Sequence, residues 1–217
     1  MDADDISLPD RFKDQLKYIQ DKNYDLIGGI TQMIDENGDL IYSIQKVPTN
    51  YDKIKKILKY GQCIAHPTWF GKKVVFETLN GYREIPLCED YDFTLRAVLS
   101  GYRISNLNKI VLQYRMTNNS ISRQNLFEQY LYMTYITKQY KQGKISDIEK
   151  AKKYVEDKND LKQSKKYLQA NILFNSMLRE ISQKKLLSFV KHGFQLVFTS
   201  RYYLDKIFRF VLLSLNS

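Results

Sequence analysis

Apolar and polar positions divide the chain into two stretches of different character. Up to about residue 125, short strand-like and helix-like patterns alternate. Beyond it the spacing is helical throughout, with no strand signal. Residues 25–31 (DLIGGIT) predict a short buried strand. The DENGD turn at 35–39 is followed by a second strand over 40–44. Ser7 and Pro9 suit a helix start, and Phe12, Leu16 and Ile19 mark the apolar face expected of that helix. Residues 51–60 (YDKIKKILKY) predict a short amphipathic helix with Ile54, Ile57 and Leu58 on one side. The segment AHPTWFGKK reads as irregular or extended, and a short helix follows it, ending near Gly81. CEDYDFTLR opens another helix that stops at Gly101, and residues 104–116 read as one or two strands. Two units are expected: 1–125, mixed α/β, and 126–217, helical.

Charge sharpens that division. The formal net charge is +10, yet residues 1–50 hold ten acids against five bases. Residues 128–217 carry seventeen bases against eight acids. An acidic site at one end and a basic surface at the other argue against a uniformly basic nucleic-acid binder, and they suit contact with anionic membrane lipids. Cys63 and Cys88 lie apart with no CxxC spacing, so neither a zinc site nor a disulfide framework is expected. Acids follow Met1 at once, and no apolar run approaches the ~20 residues of a membrane-spanning helix. The expected location is the cytoplasm or the cytoplasmic face of a membrane.

Three groups of residues carry candidate chemistry. Asp2 and Asp4, with Asp5 beside them, can converge on a divalent ion such as Mg2+ or Mn2+ bridging to a diphosphate, since hard cations take carboxylate and phosphate oxygens. The same acids would also favour the positive end of the following helix. Glu89 and Asp90, with Asp92 just beyond, can supply a general base at a helix start, or serve only as favourable charge there. Arg115 closes a strand before the polar run NNSIS. That placement suits phosphate contact or an ordinary surface ion pair. The DENGD turn is not a calcium loop, because its twelfth position is Lys46.

Four segments in order, MDADDISLPDRFKDQ, HPTWFGKKVVFETLNGYRE, CEDYDFTLRAVLSGYRISNL and VLQYRMTNNSISRQ, resemble family 2 glycosyltransferases of the GT-A fold. The likeness covers residues 1 to about 125 and is nearest to enzymes that build bacterial capsule, O-antigen or lipooligosaccharide sugars. It implies an α/β fold: the C-terminal portion of a Rossmann-like GT-A domain with a mixed sheet, followed by an α-helical extension. It also implies roles. Asp2 and Asp4 match the family's DxD, which binds Mn2+ or Mg2+ and the donor diphosphate, with Asp5 assisting and Arg115 on the phosphate side. Asp90 matches the catalytic base, with Glu89 supporting the acceptor; His66 and Trp69 would line the acceptor side. Arg96 would order the helix that carries the base or pair with Asp92.

The implied reaction is inverting transfer from a nucleotide-diphosphate sugar to a saccharide or lipid-linked acceptor. Two departures stand out. Thr117 occupies the position where many relatives place a metal-site histidine, and the family's nucleotide-binding strands before the DxD are missing. An exposed apolar sheet edge is therefore expected, or a separately encoded N-terminal half that covers it. Residues 184–217 combine six Lys or Arg with one acid and many large apolar groups. They fit either an interfacial membrane helix or a pair of packed helices. Two rivals to the transferase stay open: an inactive remnant without donor binding, and a basic membrane- or RNA-associated module.

Overall fold

A buried strand, β2 (Leu26–Ile34), forms the axis of the sheet. The computed structural model describes residues 1–116 and 125–216. Along one side of β2 runs β5 (Ile104–Arg115), parallel to it. The opposite edge of β2 is shared by β4 (Phe70–Gly71) at its start and β3 (Leu40–Ser43) at its end, both antiparallel. β1 (Ile6–Ser7) pairs antiparallel with β5 near its end, against Leu112 and Gln113. The result is a mixed five-stranded sheet in an α/β fold, as expected. β5 is one long strand; its register against β2 shifts around Gly29 and Ile30.

Helices and one 3-10 turn complete this part: α1 (Arg11–Lys22), α2 (Tyr51–Ile57), the 3-10 turn His66–Thr68, α3 (Lys73–Thr78) and α4 (Glu89–Leu99), followed after β5 by α5 (Leu126–Lys141). Ile54, Ile57 and Leu58 are fully buried, as the spacing of α2 predicted. The face of α1 is different from the prediction. Phe12 and Leu16 are 59% and 47% exposed, and the buried positions are Arg11, Gln15 and Ile19. The cause is hydrogen bonding: the 3-10 turn beneath α1 presents backbone carbonyls that need donors. Arg11 Nη2 supplies one to Pro67 O (2.9 Å) and Gln15 Nε2 one to Thr68 O (2.7 Å). The start of α1 also falls later than Ser7 and Pro9 suggest, because Ser7 is held in β1 and Asp10 is the cap.

The paired glycines of β2 let that same turn approach the sheet. A Cβ on Gly28 would stand 2.5 Å from Ile64 Cγ2 and 2.7 Å from Asn106 Oδ1. Beside it, Gly29 N donates to Thr68 Oγ1 (2.9 Å), which itself donates to Ala65 O (2.7 Å). Gly28→Ala is therefore expected to destabilise the chain by about 1–3 kcal/mol through overpacking. Urea denaturation would measure it; an unchanged midpoint would mean that the turn yields at no cost.

The remaining helices are α6 (Ile148–Glu156), α7 (Leu161–Ser182), α8 (Leu186–Thr199) and α9 (Arg201–Asn216). The change in composition near residue 125 is not matched by a gap in packing. Phe127, Tyr130 and Leu131 of α5 share one apolar cluster with Phe93 and Leu95 of α4, and Tyr167 and Tyr203 extend it into α7 and α9. Tyr140 Oη, on α5, donates to Lys55 O of α2 (3.0 Å). Among the described residues, no helix is long and apolar enough to cross a membrane.

Candidate active site

The acidic loop at the start of the chain is built by Asp5 and Arg115. Asp5 is buried; its Oδ1 accepts from Arg115 N (3.1 Å) and its Oδ2 from Asp2 N (3.3 Å). The Arg115 guanidinium closes the other side. Nε donates to Asp4 O (3.0 Å), and Nη1 to Asp35 O and Glu36 O (2.9 Å each). Arg115 thus ties the acidic loop, the end of β5 and the turn after β2 together. Asp2 and Asp4 are left exposed on the loop. Among the described residues no three His, Cys, Asp or Glu side chains cluster as a complete metal cage. Two exposed carboxylates suit a hard cation that takes its remaining ligands from diphosphate and water. Thr117 and the polar run after it lie outside the described residues.

A second group of candidate residues gathers at the start of α4. Asp90 is half-buried there, its Oδ1 accepting from Tyr91 N (2.7 Å). Burial raises its pKa above the ordinary carboxylate value; the Tyr91 N–H, His66 and the Gln62 amide oppose that rise, and Glu89 adds to it. Glu89 itself is exposed.

An aromatic wall stands beside Asp90. His66 meets Trp69 edge-on at 4.9 Å, Trp69 lies roughly parallel to Tyr82 at 6.3 Å, and Phe93 backs both rings at 5.4 Å. His66 Nε2 and Tyr82 Oη are 2.9 Å apart. Burial, then the charges of Asp90 and Glu89, raise the pKa of the Tyr82 phenol, which keeps it a neutral hydrogen-bonding group. Flat aromatic faces next to a carboxylate form a surface on which a sugar ring can stack while its hydroxyl meets the acid.

Asp92, two residues on and facing inward, does different work. Both of its oxygens are taken in a buried network. Arg83 Nη2 and Nε donate to Oδ1 (2.5 Å) and Oδ2 (3.0 Å), and Arg96 Nε donates to Oδ2 (2.8 Å). Ser146 Oγ, from the loop before α6, adds a bond to Oδ1 (3.1 Å). Arg96 continues to Leu79 O (2.7 Å) and Gly81 O (2.8 Å), so the turn that carries Tyr82 is fixed from below. The pairing of Arg96 with Asp92, one of the two alternatives expected for it, is present.

Tyr82 and Gln62 stand beside the predicted residues, and Arg11 and Gln15 hold the turn that carries His66, though their spacing gives no sign of it. Tyr82 has one faint signal, an aromatic residue in an Asn-Gly turn. Leu87 has none. Its φ of 64° lies in the left-handed region that a leucine rarely adopts, directly before the helix that carries Asp90. Gln129 Nε2 of α5 holds its carbonyl (3.0 Å). Such strain is stored where surrounding contacts enforce it, and it is common near functional sites. The two cysteines take no part; burial pushes the Cys63 thiol up to about 12 and also raises Cys88.

Comparison with known proteins points to one class, the glycosyltransferases. The chain is 38% identical over 128 residues to the O-antigen biosynthesis glycosyltransferase WbnJ of Escherichia coli, covering 58% of this chain and 50% of that protein. It is 28% identical over 145 residues to the uncharacterized glycosyltransferase MJ1057 of Methanocaldococcus jannaschii, covering 66% and 50%. The amylovoran biosynthesis glycosyltransferase AmsE of Erwinia amylovora is 23% identical over 124 residues, covering 57% and 46%. The chain spans about half the length of these curated relatives. No family model matches the sequence.

Proposed function

We propose that this chain is the metal- and acceptor-binding part of an inverting family 2 glycosyltransferase of GT-A type, acting in bacterial surface polysaccharide synthesis. The observation that carries the reading is Asp90, a carboxylate with a raised pKa beside the wall of His66, Trp69 and Tyr82. Asp90 takes the proton of an acceptor hydroxyl as that oxygen bonds to the anomeric carbon of a nucleotide-diphosphate sugar. The bond from that carbon to the diphosphate breaks on the opposite face, so configuration inverts and one base suffices. A divalent ion held by Asp2 and Asp4 would supply charge neutralisation for the departing diphosphate. Arg115 and Asp5 shape the loop that presents those two acids. The acceptor is a saccharide or a lipid-linked saccharide, reached at the cytoplasmic surface of the membrane.

Calorimetric titration of the chain with a nucleoside diphosphate, with and without MnCl2, tests the reading. Saturable binding that requires Mn2+ is expected. Asp4→Ala should weaken it by about tenfold or more, the scale of one lost charged contact. Because Asp4 is exposed and its carboxylate pairs with no side chain among the described residues, folding should be unchanged. Binding that ignores Asp4→Ala would overturn the metal assignment. No binding at all would favour a non-catalytic remnant, or a chain that needs a separate nucleotide-binding half.

A further inference from the structure

Helices α7 and α9 enclose a cleft of about 200 Å³ that none of the site residues lines. Its walls include Phe174 and Phe210, and its polar groups are Asn171, Asn175, Tyr203 and Lys206. Tyr203 Oη donates to Asn171 Oδ1 (2.9 Å), which fixes that wall. Lys206 Nζ stands 5.1 Å from the Tyr203 ring centre and 5.7 Å from that of Tyr167. Among the described residues no carboxylate pairs with Lys206. Its neighbour Asp205 is engaged elsewhere, accepting from Tyr130 Oη (2.8 Å) and Arg209 Nε (2.6 Å). Burial lowers the pKa of Lys206, so an arriving anion would restore what desolvation removes.

Large apolar side chains are exposed on α9 and on α8, which packs against both helices of the cleft. On α8, Leu187, Val190, Phe194 and Phe198 follow at steps of three, four and four residues and share one helix face. All are exposed, Leu187 by 90% and Phe194 by 68%. On α9, Phe208 and Phe210 are exposed as well, whereas Tyr203 and Arg209 dock that helix onto the body. Patches of this kind mark contact surfaces. Lys184, Lys185, Lys191 and Arg201 are exposed on the same segment, where Asp205 is the one acid. Basic helices with an apolar face, too short and too charged to span, suit the membrane interface.

We propose that the α7–α9 cleft binds the phosphate head group of a membrane lipid, with Lys206 meeting the phosphate and Phe174 and Phe210 meeting the first methylenes, while the exposed faces of α8 and α9 rest in the bilayer interface. The proposal deepens the membrane-surface reading above and is independent of the transferase chemistry. An RNA or a soluble acidic partner would leave the apolar side chains in water. A second copy of the chain would cover them but bring no anion to Lys206.

Vesicle flotation of the full chain, without nucleotide or metal, tests this. Flotation is expected with vesicles of phosphatidylcholine and phosphatidylglycerol, and much less with phosphatidylcholine alone. Lys206→Gln should weaken binding about fivefold, the scale of one basic residue at an anionic surface. Lys206→Arg should retain binding, and Phe194→Ser should reduce it. Unchanged flotation of Lys206→Gln would overturn the cleft while leaving the membrane contact standing. If wild type floats with neither vesicle, both fail, and dimers in light scattering that Phe194→Ser abolishes would then identify a second copy as the occupant. If inorganic phosphate raises the melting temperature of a chain that does not float, the cleft takes free phosphate and the lipid assignment is overturned.

Discussion

Asparagine in place of Asp92 is expected to cost about 3–5 kcal/mol of folding free energy, the range found when one member of a buried ion pair is removed. Asp92 is 2% exposed, and Arg83 and Arg96 both direct their charge at it. The amide keeps the shape and removes the negative charge, leaving the buried Arg96 guanidinium and the partly buried Arg83 guanidinium without their shared counter-charge. Against a typical stability of about 5–15 kcal/mol, that loss is a large fraction. The same bonds hold the Tyr82 turn, α4 and the Ser146 loop, so the effect should not remain local. Chemical denaturation at neutral pH measures it. A change below about 1 kcal/mol would place Asp92 with solvated surface pairs, whose contribution is of that size.

Asp90→Asn, two residues earlier on the same helix, is expected to act in the opposite sense. In the form of the protein that turns over, transfer should fall by about 10²–10⁴-fold, the contribution of a positioned general base. Nucleotide binding should persist. Undiminished transfer would remove Asp90 from the mechanism. Stability should not suffer, and its pH dependence follows from the raised pKa of Asp90. As pH rises, the unfolded state ionises first and the folded state is left behind, so the wild type loses stability between the two pKa values. The neutral amide of the variant carries no such penalty. The melting temperature of Asp90→Asn should therefore match or exceed that of wild type at pH 7, with the difference shrinking below the ordinary carboxylate range. A base with this pKa also shifts the acid limb of the rate profile upward from that range.

These two carboxylates are indistinguishable by composition, and both sit at a helix start, where sequence reasoning weighs helix-end charge against catalysis. Their separation is a matter of surroundings. Asp92 faces inward onto two arginines; Asp90 faces the aromatic wall with only a backbone N–H and weaker polar neighbours. Buried acids near rings are candidates for chemistry, and buried acids saturated by arginine are candidates for architecture.

Local patterning by itself determined most of the elements. The buried run of β2, the apolar spacing of α2 and the stop at Gly101, with φ of 87°, each express a preference that neighbours a few residues away already enforce. The order of the acidic, HPTW, ED and YR segments likewise carried the glycosyltransferase resemblance. The tertiary structure alone decided the inner face of α1, where Arg11 and Gln15 displace Phe12 and Leu16 because distant carbonyls require donors. It alone brought Tyr82 to His66 across sixteen residues and closed Arg115 onto a loop more than a hundred residues away. Periodicity reports which side of an element avoids water, but a buried polar group answers to its partner, and that partner is set by the fold.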